Sequence, residues 1–445
     1  MFQIHDKTRR RICIASFFVF CVLPTAVMLV WGTVRQMPDN VRVHANELSK
    51  YFGLAVSIES LSRPSSKTTR YINVTLTDPE TNKPVFQCRS VDVSWKNTTG
   101  DQEAQGKALV LSVTGSEVIA DQADNLHSLL NRILTCRTGT PPFNILLNVG
   151  DLVLRAETGS QSFANVDGRM DVLPGGIQME FNFRLSGVES GDLARLRIGR
   201  NRQTIPPSTG FELYTGDNAL PLSSLAFGFR RLKWLGLDCR FSGYIWSSEG
   251  ENGHEGEVTG RLLGLELDHL VTEWFPHKLS GKCQLTIHRA RFADGRLESA
   301  SGSLHAGPGQ VSSSLLDSIA SRLKITLGNA LNMPASLVGY KELAFNFKLG
   351  EHGLQLQGQC TTGAPGVIMA GDTGAILGNS LEMRQPISSF LDALDPTGIA
   401  QHSATEKTAW LARCLPLNSG SPMTTVAYPR PREEVPEVGR RTEWP

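Results

Sequence analysis

Ile177-Gln178-Met179-Glu180-Phe181-Asn182-Phe183-Arg184-Leu185 alternates without a break. Ile177, Met179, Phe181, Phe183 and Leu185 fall on one side of an extended chain, and Gln178, Glu180, Asn182 and Arg184 on the other. Successive side chains of a strand point to opposite faces, so this stretch predicts a strand with one apolar and one wet face. Strands of that kind belong to antiparallel sheets. The same period recurs in Ile72–Leu76, Val91–Trp95, Leu109–Val113, Leu237–Ile245, Leu263–Leu267, Cys283–Ile287, Leu343–Leu349 and Leu354–Leu356. Asp78-Pro79-Glu80-Thr81-Asn82 is turn chemistry. Asp294-Gly295, set between Arg291-Phe292 and Arg296-Leu297, carries the two-residue hairpin signal.

Helical patterns are few. Leu126, Leu129, Leu130, Ile133 and Leu134 form the stripe of a helix lying on a sheet, ended by Thr138-Gly139-Thr140-Pro141-Pro142. Ser313–Lys324 places Leu315, Leu316, Ile319, Ala320 and Leu323 on one face, with Ser314 and Asp317 at capping-box spacing. A short helix opens at Asp39 or Asn40 and runs to Phe52, where Gly53 takes the C′ position and Leu54 follows as its apolar partner.

Ile12–Trp31 contains no charged residue. A helix of that length covers a hydrocarbon core of about 30 Å. Pro24 lies inside it, which membrane helices tolerate. Lys7, Arg9, Arg10 and Arg11 precede the span more densely than Arg35, Arg42 and Lys50 follow it. The sequence thus predicts an uncleaved single-pass anchor with its N-terminus in the cytoplasm. A cleaved signal peptide is the competing reading, disfavoured by the length of the run and by the poor cleavage site at Trp31–Arg35.

The balance of 44 Lys+Arg against 43 Asp+Glu, for a net charge of +1, argues against a nucleic-acid partner. Cys13 and Cys21 lie in the apolar segment; Cys88, Cys136, Cys239, Cys283, Cys360 and Cys414 are scattered, with no CxxC pair. An oxidising compartment would allow disulfides among these six, but the reading adopted is of small apolar core residues. No GxSxG, Walker, HExxH or GxGxxG motif occurs. His254, His269, His277 and His288 fit no common metal spacing, and Glu266, Asp268 and Glu273 read as a solvated face. No catalytic, metal or cofactor residue is therefore assigned, and the chain is read as a non-enzyme.

The helix ending Tyr51-Phe52-Gly53-Leu54, the strand Ala55–Ile58, Tyr71-Ile72-Asn73-Val74-Thr75-Leu76-Thr77-Asp78-Pro79, Pro84-Val85-Phe86 and Arg89–Trp95 follow the apolar span in an order that resembles the AsmA-like family of envelope proteins, over residues 12–95. The later helix Ser313–Lys324, after Gly302–Gly309, resembles the same proteins in style. The resemblance implies an elongated sheet with an apolar groove, serving lipid movement or envelope assembly, and carries no catalytic residues.

The expected architecture is mainly β with a few helices: an N-terminal transmembrane helix, then an antiparallel, elongated and curved β-sheet region. Residues 1–37 form the cytoplasmic tip and anchor, 38–187 an AsmA-like β-rich region, 188–417 a second β-rich region, and 418–445 a disordered tail. The polar stretch Glu189–Thr209 marks the boundary between the two regions. The bulk of the chain is expected in the periplasm or another extracytoplasmic space, held to the cytoplasmic membrane. Expected partners are membrane lipid and other envelope proteins. Ile177, Met179, Phe181, Phe183, Leu343, Phe345, Phe347 and Leu349 need cover, because soluble proteins rarely expose large apolar patches. The cover is either the chain's own elements or a bound acyl chain, and these eight residues are the candidate groove. The alternative is a structural or partner-binding envelope protein with closed faces.

Overall fold

The computed structural model describes residues 10, 14–35, 38–98, 106–119, 134, 144–156, 159–173, 175–188, 192–225, 235–236, 238–250, 253–328, 336–361, 364–378, 384–395 and 415. Lys7, Arg9 and Arg11, the tail 418–445, and every residue of the expected helix Leu126–Leu134 except Leu134 lie outside them.

The chain is helical from Ile14, but not uniformly. A π-helical turn, Phe18–Val22, precedes α1 (Leu23–Arg35). Pro24 explains the change of pitch. Its ring and missing N–H forbid the ordinary bond one turn back. The Leu23 N–H instead reaches Phe18 O, and Thr25 Oγ1 donates to Cys21 O at 2.6 Å. Split in this way, no helix among the described residues is long and apolar enough to cross a membrane. Arg10 is helical and exposed.

Next comes α2 (Pro38–Phe52), which packs Val41, Ala45 and Leu48 against the core. Gly53, at φ +67°, ends it and donates to Ser49 O, and Leu54 is buried. β1 (Ala55–Ser65), β2 (Thr68–Thr77), β3 (Pro84–Thr98) and β4 (Gly106–Ile119) form an antiparallel meander. β5 (Asn144–Ala156) then joins β4 in parallel, a correction to the all-antiparallel expectation. Both strands run the same way because 120–143 is long enough to return the chain to the same end of the sheet, as a parallel pair requires.

Antiparallel order resumes through β6 (Gly159–Leu173), β7 (Gly176–Leu185), β8 (Ala194–Asn201) and β9 (Ser208–Tyr214). The polar stretch 189–209 thus contains a whole strand, and backbone pairing crosses residue 188 from β7 to β8. β9 pairs with β11 (Arg240–Gly250), which also holds the short β10 (Leu220–Pro221). β12 (Gly253–Glu266), β13 (Lys282–Ala293) and β14 (Arg296–Ala306) follow. The hairpin at Asp294-Gly295 has both φ values positive, +50° and +72°, as its type I′ geometry demands.

Between β15 (Gly309–Ser312) and β16 (Thr326–Leu327) lies α3 (Ser313–Leu323). Its N-cap is Ser312, accepting from Leu315 N, rather than Ser314. β15 pairs with β17 (Leu337–Tyr340) in a small second sheet. β18 (Glu342–Gly350) extends the large sheet from β14 and carries β19 (Gly353–Gly358) on its far side. β18 also starts the run β20 (Val367–Gly371), β21 (Gly374–Gly378), β16. Among the described residues the result is one nineteen-stranded mixed sheet, in which β1, β16 and β19 each pair with a single strand. α4 (Ile387–Leu394) closes the described chain apart from Leu415. One contiguous core runs along the sheet from Ile58 and Tyr71 to Ile376 and Leu377, and Leu315 and Leu316 of α3 are fully buried in it.

Candidate functional site

Directly paired residues in a sheet share a face, so strand register shows which side chains line up. Val93 pairs with Leu111, Leu111 with Leu147, Leu147 with Gly168, Gly168 with Phe181, and Phe181 with Leu196. The row continues through Leu213, Ile245, Val258, Ala290, Ala300, Leu349 and Leu354. Every position in this row, from β3 to β19, is an apolar residue or glycine. Two neighbouring rows are similar. Trp95, Leu109, Ile145, Met170, Met179, Ile198 and Phe211 lie two residues to one side. Leu220, Phe241, Leu262, Leu285, Leu304 and Phe345 lie further off on the other side, four or five residues from the long row, across the later strands.

The two candidate sets are therefore brought onto one face of one sheet, and Phe181 and Leu349 stand in the same row. Their surroundings differ. Ile177 and Met179 are buried with Ile198 beneath Leu134, whose carbonyl accepts from Arg202 Nη2 at 3.2 Å. Leu343 is buried in the main core. Leu349 packs with Leu297 against Ile387, Leu391 and Leu415. Phe181, Phe183, Phe345, Phe347 and Leu349 are half-buried. Along the long row Leu213, Ile245, Ala290 and Leu354 are buried, whereas Val93, Leu111, Leu147, Leu196 and Val258 are half-buried.

One residue away, the opposite face is charged. Arg169 pairs with Glu180, Glu180 with Arg197, Arg197 with Glu212, Glu212 with Trp246, Trp246 with Glu257, and Glu257 with Arg291. Arg197 Nε lies 2.9 Å from Glu180 and its Nη1 3.6 Å from Glu212, and Glu257 takes Arg289 at 3.0 Å and Arg291 at 3.4 Å. Partly exposed pairs like these contribute about 0–1 kcal/mol each, so the row specifies which face is wet more than it stabilises. Tyr244 sits beside the row, and burial, then Glu212, pushes its phenol well above the usual range. Sequence reading missed this row because two of its arginines, Arg195 and Arg197, lie in the stretch read as a boundary. The signal was present: Ala194, Leu196 and Ile198 alternate with Arg195, Arg197 and Gly199.

Three of the four histidines singled out in the sequence have local partners. His269 lies between Glu273 and, at 3.6 Å, Glu266; His254 Nε2 meets Ser247 Oγ at 3.3 Å; His277 Nδ1 meets Ser314 Oγ at 3.0 Å. Among the described residues no three His, Cys, Asp or Glu side chains are grouped to hold a metal ion. Cys88, Cys239 and Cys283 are buried free thiols, and burial pushes them up to about 11, 11 and 12. No family model, curated protein or solved structure matches the chain.

Proposed function

We propose that this chain is a membrane-anchored, extracytoplasmic protein of the AsmA-like kind that holds lipid acyl chains along the apolar face of its sheet. The observation carrying this reading is the unbroken apolar row from Val93 to Leu354, in which Val93, Leu111, Leu147, Phe181 and Leu196 are only half-buried over β3 to β8. An acyl chain gains about 0.8 kcal/mol per buried CH₂, and a lane of apolar side chains supplies that burial without any specific polar contact. The role is non-catalytic: binding of this kind needs a surface and no reacting group.

The anchor belongs to the same reading. Every side chain from Ile14 to Val30 is exposed, including Phe20 at 77% and Met28 at 73%. In water so much exposed apolar surface is unfavourable, whereas in hydrocarbon it is satisfied. Neither helical piece is long enough to cross a membrane by itself, but helical backbone continues through the π turn from Ile14 to Arg35, and the pieces together extend about 33 Å at the usual rise, the thickness of a bilayer core. The basic N-terminus places it in the cytoplasm and the sheet outside.

The second reading is a structural or partner-binding envelope protein. Leu134 over Ile177 and Met179, and α4 over Leu349, favour it, because there the chain covers its own face. Lipid extraction and native mass spectrometry of the full-length protein decide between the two. Co-purified lipid, lost in Phe181→Asp while the fold persists, supports the first. Absence of lipid from a folded wild-type protein overturns it in favour of the second.

A further inference from the structure

We infer that the β1–β2 hairpin and the adjoining end of β3 rest on an anionic membrane surface beside the anchor. The inference depends on the anchor reading and adds a second contact to it. Its basis is the direction of α2. Ser49 Oγ accepts from Val56 N at 2.9 Å, near the start of β1. His44 stacks edge-on against Tyr71 at 5.9 Å, and Tyr71 pairs with Leu61, near the far end of β1. α2 therefore runs back along β1. Pro38 lies about 9 Å beyond His44 in that direction, level with the hairpin that joins β1 to β2. Three peptide units separate Arg35 from Pro38, so the end of α1 stands within about 11 Å of Pro38. The end of the sheet carrying the hairpin is thus the end beside the anchor.

The residues there suit a headgroup layer. Arg63, Lys67, Trp95 and Lys96 are all exposed, Trp95 at 52%. Residues 60–69 and 93–98 contain no carboxylate. On the strands themselves the nearest ones, Glu59 and Asp92, lie further in, held by Asn73 and by a two-bond contact with Arg70 at 2.6 and 2.7 Å, while Asp101 and Glu103 follow in the connection from β3 to β4. An amphipathic ring beside several cations is the composition found where proteins meet lipid headgroups. The opposite end of these strands, at the Asp78–Lys83 turn, has two acids in six residues and no exposed aromatic.

Photocrosslinking of the full-length protein in phosphatidylcholine vesicles, with and without phosphatidylglycerol, tests this. p-Benzoylphenylalanine replaces Lys67, Lys96 or, at the opposite end, Lys83; all three side chains are exposed, so the fold is not at stake. Lipid adducts at positions 67 and 96, several-fold more abundant with phosphatidylglycerol, and absent at 83, support the inference. Carbonate-resistant protein without adducts at 67 and 96, or with equal adducts at 83, overturns the surface contact and leaves the anchor standing. Adducts indifferent to phosphatidylglycerol overturn its anionic character. Release of the protein by carbonate overturns the anchor reading itself, and this contact with it.

Discussion

The ring of Phe181 lies over Gly168 on the neighbouring strand, with two ring carbons 3.0 Å from where a β-carbon would stand. Phe347 stands in the same relation to Gly302, its nearest ring carbon 2.8 Å from the corresponding point. At Gly168 the absent side chain makes room for the ring; at Gly302 the backbone oxygen of Thr286 stands closer still and already excludes a β-carbon, and the ring lies beside it. A flat ring presents a broad apolar surface to the row on either side, instead of standing out from the sheet. On β7 and β18 alike a phenyl ring stands beside a glycine of the neighbouring strand.

A β-carbon at residue 168 must displace the ring. Gly168→Ala meets Phe181 and, at 3.2 Å, the Leu147 side chain, so overpacking should cost about 1–3 kcal/mol in urea unfolding. In Gly168→Ala/Phe181→Leu most of that cost should return, because the two residues are coupled through one contact. Additive losses in the double mutant would show that the ring does not depend on the glycine.

Much of this face was legible in the sequence, and the reason is physical. β7 alternates cleanly because each side chain answers to one environment, and Asp294-Gly295 announces its turn because few residues tolerate two positive φ values. The alignment of Phe181 with Leu349 was not legible. It depends on the register of the seven intervening pairings, and no residue encodes register alone. β8 was missed because Arg195 and Arg197, which face Glu180 and Glu212, look like linker charges until their partners are in place. The parallel join of β4 to β5 was missed for a similar reason: alternation identifies a strand and not its direction.

The buried thiols give a direct chemical test. Cys88, Cys239 and Cys283, pushed up to about 11, 11 and 12, hold no more than about one thiolate in a thousand at pH 8. Iodoacetamide followed by peptide mass spectrometry should leave these three unlabelled in the folded protein and label all of them in urea. Fast native labelling of Cys239 or Cys283 would mean that the core near β11 and β13 opens readily, and fast labelling of Cys88 that the core at β3 does.

His277 couples acidity to stability. It is buried between the loop after β12, the start of α3 and the end of α4, where Nδ1 meets Ser314 Oγ. Nε2 is also buried, facing the Ala393 carbonyl without a well-formed hydrogen bond. Burial lowers its pKa below 6.5, outweighing the opposing pull of Ala393 and Asp395. The folded protein therefore binds this proton less readily than the unfolded chain. The stability linked to His277 is fully present above about pH 6.5 and is lost as pH falls from there toward the depressed folded value. Urea midpoints measured between pH 7.5 and about pH 5 should fall, and His277→Gln should flatten that segment of the curve. An unchanged slope in the variant would assign the acid sensitivity to other groups.

Leu196 and Arg197 offer the sharpest test of the apolar row, because neighbouring residues on β8 face opposite environments. Leu196 stands between Phe181 and Leu213 in the apolar row, half-buried. Arg197 stands between Glu180 and Glu212 in the charged one, within 2.9 Å and 3.6 Å of their carboxylates. If acyl chains lie along the row, Leu196→Asp places a carboxylate in their path. The charge must then be desolvated against hydrocarbon or the lipid must leave, and leaving is the less costly course. Arg197→Gln removes a charge from the wet face and leaves the lane untouched. Its cost is that of partly exposed ion pairs, up to about 1 kcal/mol for each one broken. The expected result is that Leu196→Asp loses at least about nine-tenths of co-purified lipid, a little over 1.4 kcal/mol in binding, while Arg197→Gln keeps it. Circular dichroism and thermal unfolding confirm that both variants are folded. Equal loss in both would trace lipid retention to general stability of the sheet, and equal retention would place the lipid away from this row.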